Sequence, residues 1–267
     1  MSSTSLSVRL ALGISYNGRA YQGWQSQLSG LTVQDKLEAA LSKLAAQHIS
    51  TVCAGRTDTG VHALMQVVHF DTSAARRTVS WVRGTNALLP RDIAVEWAVE
   101  VPLQFHCRAN ALSRRYTYVL MESPVRPSID AGRVGWVMRP LDLERMQQAC
   151  AYLAGEHDFT SFRAAACQAL SAVKQLHPIR ISRRGAYWRF EFEASAFLHH
   201  MIRNIMGCLV AIGQGKHNPQ WMQQVLDARC RDVAAPTFSP DGLYFLGPRY
   251  APQWDLPDRT AAYDGLP

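Results

Sequence analysis

The chain has 267 residues, 48% of them hydrophobic and 18% charged, which supplies enough apolar material for one large or two smaller packed domains and excludes global disorder. The formal net charge is +7, and the basic side is dominated by arginine: Lys36, Lys43, Lys174 and Lys216 stand beside 24 arginines. Guanidinium forks match phosphate and stack on bases, so the balance points to a nucleic-acid partner, while the lack of any run of about 18 apolar residues excludes a membrane-spanning helix.

In chain order, residues 8–15 alternate and predict a strand, turned by Tyr16-Asn17-Gly18. Thr32 with Asp35 three residues on predicts a helix start of the capping-box kind, and Val33, Leu37, Ala40, Leu41 and Leu44 continue it to about residue 47. Strands are expected over 51–54 and 64–71, a short helix over 81–88 closed by Pro90, and a strand over 93–99. The second half repeats this outline loosely. It predicts a strand over 115–121, a helix over 141–154 ended by Gly155, and a hairpin of 172–182 with 187–194 around the turn at 183–186. Helices over 196–212 and 219–228, a strand over 243–246 and a Pro-rich, extended tail from 250 complete the series. The expected fold is mixed α/β: two ferredoxin-like, β-α-β-rich halves with largely antiparallel sheets flanking a central basic cleft. The first half spans 1–104, the second 105–250 and the tail 251–267.

The six cysteines (Cys53, Cys107, Cys150, Cys167, Cys208 and Cys230) contain no C-x-x-C pair, so a zinc knuckle is unsupported. They are spread through a chain whose start is polar and Ser-rich, a combination expected of reduced thiols in the cytoplasm. No Walker or dinucleotide glycine pattern appears, so cofactor-free chemistry is the default.

Chemistry concentrates in residues 54–63, Ala-Gly-Arg-Thr-Asp-Thr-Gly-Val-His-Ala. One carboxylate (Asp58), one guanidinium (Arg56) and two glycines (Gly55, Gly60) share a segment too glycine-rich for regular structure, between two strands. A charged group on a loop held by a rigid scaffold is a typical functional placement; a surface turn with a weak Arg56–Asp58 ion pair is the plainer alternative. His62 is expected to shape the loop. A metal set of Asp58, His62 and His69 would lack the usual ligand spacing. Alternation over 114–118 places Tyr116 and Tyr118 on one face and Arg115 and Thr117 on the other, and an arginine pair (Arg114, Arg115) beside a tyrosine suits a phosphate and a stacked base. Arg203, among Ile and Met on the expected helix, must snorkel to the surface or reach a carboxylate. His199 and His200, adjacent on that helix, point in different directions and do not share a metal easily.

Five segments in order resemble the tRNA pseudouridine synthase A family: residues 54–63, Arg-Arg-Tyr-Thr-Tyr at 114–118, Asp-Phe-Thr-Ser-Phe-Arg at 158–163, Ala-Phe-Leu-His-His-Met-Ile-Arg-Asn-Ile at 196–205 and Gly-Leu-Tyr-Phe at 242–245. The resemblance runs from about residue 8 to 250. It implies isomerisation of uridine to pseudouridine in the anticodon stem-loop of tRNA, at positions 38, 39 and 40, by a cytoplasmic homodimer with no metal and no organic cofactor. It implies Asp58 as nucleophile, whether toward sugar C1′ or uracil C6, with Arg56 or Arg203 holding it ionised and Arg56 aiding extrusion of the base. Tyr116 would stack on the uracil and move a proton, and Leu243 would close the pocket. It also implies RNA contacts by Phe105, His106, Cys107, Arg108 and Ala109, and by Cys167, Gln168, Ala169, Leu170 and Ser171, with Arg114 and Arg115 on the phosphate track.

Overall fold

A computed structural model describes residues 7–257 except 166. The described chain forms two compact units, one made of residues up to Leu112 together with Phe245 onward, the other of Ser113–Tyr244.

In the first unit the chain runs β1 (Val8–Tyr16), α1 (Val33–Ala45), β2 (Val52–Cys53), β3 (His62–Thr72), α2 (Thr78–Asn86) and β4 (Ile93–Val101). β1 lies between β3 and β4, antiparallel to both, and β2 pairs antiparallel with β3. That βαββαβ order with β1 central is the split β-α-β, ferredoxin-like plan. β1 and β3 are buried along nearly their whole length, so both faces of the sheet are covered. On one face Phe70 meets Trp81 of α2 at 5.4 Å between ring centroids. On the other, Ala11, Met65, Val67, Trp97, Val101, Phe105 and Cys107 form a core. Trp97 lies directly over Gly13, where any Cβ would collide with its indole. The predicted cap of α1 is present in full: Thr32 accepts from Asp35 N–H, and Asp35 accepts from Thr32 N–H.

The second unit runs β5 (Ala111–Glu122), β6 (Gly135–Val137), α3 (Leu143–Ala151), β7 (Gly155–Asp158), β8 (Val173–Leu176), β9 (Arg180–Arg184), β10 (Tyr187–Ala194), α4 (Met201–Gly213) and α5 (Trp221–Ala228). Its strands lie in the order β5-β10-β8-β7, with β9 antiparallel on β10 and β6 parallel on β5. The β5–β10 register sets Tyr116, Tyr118 and Leu120 opposite Phe192, Phe190 and Trp188, an apolar face, and Arg115 and Thr117 opposite Glu193 and Glu191, a charged one. The faces expected of Tyr116 and Arg115 are therefore the observed ones.

Four sequence expectations need correction. The long strand over 172–182 is two strands, β8 and β9, separated around Pro178, which has no N–H for a ladder. The helix expected from 196 begins at Met201; His200 is left-handed (φ 62°), so His199 and His200 belong to the turn before the helix, their rings 4.0 Å apart. Residues 105–112 fold with the first unit, and β11 (Leu243–Tyr250) returns the chain there from Phe245. The tail is not simply extended: Pro252–Trp254 is a 3-10 turn, and Tyr250 and Trp254 each meet Phe105 edge-on at 5.4 and 5.2 Å.

Candidate active site

The Asp58 segment is built from the end of β2 to the start of β3. Ala54 N–H donates to Val67 C=O at 2.8 Å, continuing the ladder one residue past β2. The chain then turns over Asp58–Val61, closed by Val61 N–H to Asp58 C=O at 3.1 Å. Gly60 sits third in this turn with φ +80°, the type II geometry that needs glycine there. The turn is backed by two tight glycine contacts: Gly18 faces Val61 C=O, and Gly23 (φ +83°) faces Thr57 C=O and the backbone of Asp58. Trp24 N–H donates to Thr57 C=O at 3.0 Å, and Gly18 N–H donates to His62 Nδ1 at 3.2 Å. Asp58 is half-buried on this fixed backbone and Arg56 is exposed. His62 is buried, with Nδ1 occupied in holding the loop, the shaping role expected of it.

Two buried polar groups that the sequence reading passed over support the same segment. Gln66 of β3 donates from its amide to Gly55 C=O and accepts from Gly55 N–H at 3.3 Å. Tyr16, at the end of β1, shares a 2.8 Å hydrogen bond with Thr57 Oγ1. Burial pushes the Tyr16 phenol well above its ordinary value, so it stays protonated. The signal for Gln66 was present: a carboxamide inside the apolar run 64–70 must find partners or cost about 1–3 kcal/mol.

The 105–109 segment leans on the same loop. Arg108 is exposed and its Nε donates to Cys53 C=O at 3.2 Å, one residue before the Asp58 segment starts. His106 is half-buried and its Nδ1 accepts from the N–H groups of Arg108 (3.3 Å) and Ala109 (3.2 Å). Phe105 and Cys107 are fully buried in the core, so their side chains cannot touch RNA; His106, Arg108 and Ala109 carry the segment's outward surface. His69 is also buried, its Nδ1 3.1 Å from Cys107 Sγ. Burial first, then the nearby Arg9 and His106 charges, lower its pKa to about 4.

In the second unit Tyr116 is buried on β5 and meets Phe197 edge-on at 5.1 Å and 81°. Two residues after Phe197, His199 N–H donates to Cys167 Sγ at 3.4 Å, so Tyr116, the turn before α4 and the 167–171 segment gather in one region. Arg163 holds that segment through Cys167 C=O (2.6 Å) and Ala169 C=O (3.0 Å). Burial alone would raise the Cys167 thiol; the Ala169 and His199 N–H groups and Arg163 outweigh it and pull the thiol below its ordinary value. Gln168, Leu170 and Ser171 project outward from it. Arg114 donates to Ser195 C=O at 2.9 Å, and Arg115 stands opposite Glu193. Arg203 is half-buried, and its Nε donates to Phe238 C=O at 2.9 Å. Leu243 is buried at the head of β11.

A sequence profile described as tRNA pseudouridine synthase matches residues 14–109 and 149–251. The tRNA pseudouridine synthase A of Albidiferax ferrireducens is 73% identical over 97% of this chain and 100% of its own length. That of Polaromonas naphthalenivorans is 69% identical over the same shares, and that of Delftia acidovorans 64%. The matched span includes the Asp58 turn, the 105–109 segment and α4, and on this evidence the chain belongs to the tRNA pseudouridine synthase family, enzymes that isomerise uridine to pseudouridine.

Proposed function

We propose that this chain converts uridine to pseudouridine in the anticodon stem-loop of tRNA, at positions 38, 39 and 40, as a cytoplasmic homodimer, with Asp58 as nucleophile and with neither metal nor organic cofactor. The observation that carries the reading is the Asp58 turn: a half-buried carboxylate on a backbone fixed by hydrogen bonds before and after it. The net reaction breaks the N1–C1′ bond, forms C5–C1′, releases the C5 proton and protonates N1, an isomerisation that needs no redox partner. A carboxylate serves as nucleophile, toward C1′ or C6, if it is ionised and held in place. The uridine must first leave its stack at a cost of a few kcal/mol. Arg56, exposed on the same turn, is suited to hold a phosphate or occupy the vacated space. On this reading Tyr116 stacks on the uracil and moves a proton, Leu243 shields the base from water, and Arg203 supports the charge balance. His106, Arg108, Ala109, the 167–171 segment, Arg114 and Arg115 contact the RNA.

The test is tritium release from tRNA labelled at uridine C5, with and without chelator, for wild type and Asp58→Ala. Release by wild type alone, mapped to the anticodon arm and insensitive to chelator, is the expected result. Release mapped elsewhere overturns the positional assignment, release lost on chelation overturns the cofactor-free assignment, and release by Asp58→Ala overturns the nucleophile. Sedimentation of the free enzyme as a monomer at micromolar concentration would reject the dimer.

A further inference from the structure

Gln66 is completely enclosed in the middle of β3, and both ends of its carboxamide go to one residue, Gly55, three positions before Asp58. The buried Tyr16 hydroxyl takes the next side chain along, sharing a 2.8 Å hydrogen bond with Thr57 Oγ1. Two buried side chains, Gln66 on Gly55 and Tyr16 on Thr57, therefore hold the residues on either side of Arg56 and lead up to Asp58. The segment it holds contains Gly55 and Gly60, the residue type with most backbone freedom to lose. Packing alone would leave the Gly55 N–H and C=O without partners and the loop free to shift in search of water.

We propose that Gln66, assisted by Tyr16, is a positioning residue for the pseudouridylation step: it fixes the backbone from Gly55 to Thr57 so that the Asp58 carboxylate meets the reacting atom. The inference rests on the reading of Asp58 as nucleophile. A catalytic group displaced by about 1 Å costs on the order of 100-fold in rate, so a clamp on its backbone acts on the chemical step and not on RNA affinity.

The experiment measures single-turnover tritium release and, separately, tRNA Kd for wild type, Asp58→Asn, Gln66→Met and Gln66→Glu. Gln66→Met keeps the volume and loses both hydrogen bonds; its expected effect is a 10- to 100-fold slower chemical step with Kd within about twofold of wild type. Gln66→Glu keeps the acceptor for Gly55 N–H and loses the donor, which its protonated form restores, so its rate relative to wild type is expected to rise as pH falls. A residue that only fills space gives no such pH-dependent ratio. A wild-type single-turnover rate in Gln66→Met, or a loss confined to Kd, overturns the inference. Turnover by Asp58→Asn sinks the nucleophile reading itself; an inactive Asp58→Asn beside a fully active Gln66→Met overturns only the clamp. Should thermal melting show Gln66→Met unfolded, Tyr16→Phe, which removes one hydroxyl, replaces it: a slowed chemical step supports the clamp, and a wild-type rate rejects it.

Discussion

Asp58 and His69 are both polar residues of the first unit, and their surroundings differ: one is a half-exposed carboxylate, the other a buried imidazole. Asp58 is half-exposed on a fixed turn, and Asp58→Ala is expected to lower turnover by about 10⁴-fold or more while tRNA Kd stays near wild type, because on the proposed reading the carboxylate acts in the transition state. Retention of more than about 1% of the rate would contradict this. His69 is sealed beneath His106 and Cys107, with a folded pKa of about 4 against an ordinary value of 6.5. Between those values the unfolded chain binds the extra proton, so stability is complete above pH 6.5 and is lost as pH falls toward 4. The loss is expected to be on the order of 1–2 kcal/mol, discounting for solvent screening. His69→Gln should flatten that part of the melting-temperature profile; an unchanged profile would assign the pH dependence to other groups.

Single elements make different demands on their residues. The cap of α1 was legible as Thr32 and Asp35 because capping chemistry is local, and the structure contains both reciprocal bonds. Thr32→Ala is expected to cost about 1 kcal/mol in chemical denaturation and to leave the rate of properly folded enzyme unchanged. The turn over 58–61 depends on Gly60 at φ +80°. Gly60→Ala is expected to cost about 1–2 kcal/mol of strain and to slow turnover at unchanged tRNA affinity, since the strain falls on the residue chain carrying Asp58. A melting temperature and rate both equal to wild type would show that the turn relaxes without consequence. Strand ends were harder to read. Pro178 divides 172–182 because a ladder needs an N–H there, and the start of α4 at Met201 depends on the left-handed His200, a conformation uncommon enough in any residue with a side chain that the sequence does not announce it.

For the molecule as a whole, the excess of 24 arginines and a net charge of +7 predict tRNA affinity that falls steeply with salt as counterions are released. The plot of log affinity against log salt is expected to be linear, and Arg108→Ala to flatten its slope by roughly one phosphate contact, as measured by filter binding across ionic strengths. A flat dependence in wild type would remove the phosphate track from the reading. By itself the sequence determined the mixed α/β class, the capped first helix, the opposite faces of Tyr116 and Arg115, and the glycine-flanked loop that carries Asp58 between two strands, because each follows from periodicity or from residue types within a few positions of one another. Only the tertiary structure decided that Phe105 and Cys107 are core while Arg108 is outward, that the chain after Phe245 rejoins the first unit, and that Gln66 and Tyr16 grip the Asp58 loop. These depend on hydrogen-bond partners 11 to 143 positions away in sequence and on ring contacts as distant as Phe105 with Trp254, and no local pattern specifies which distant group satisfies a buried donor or covers a ring.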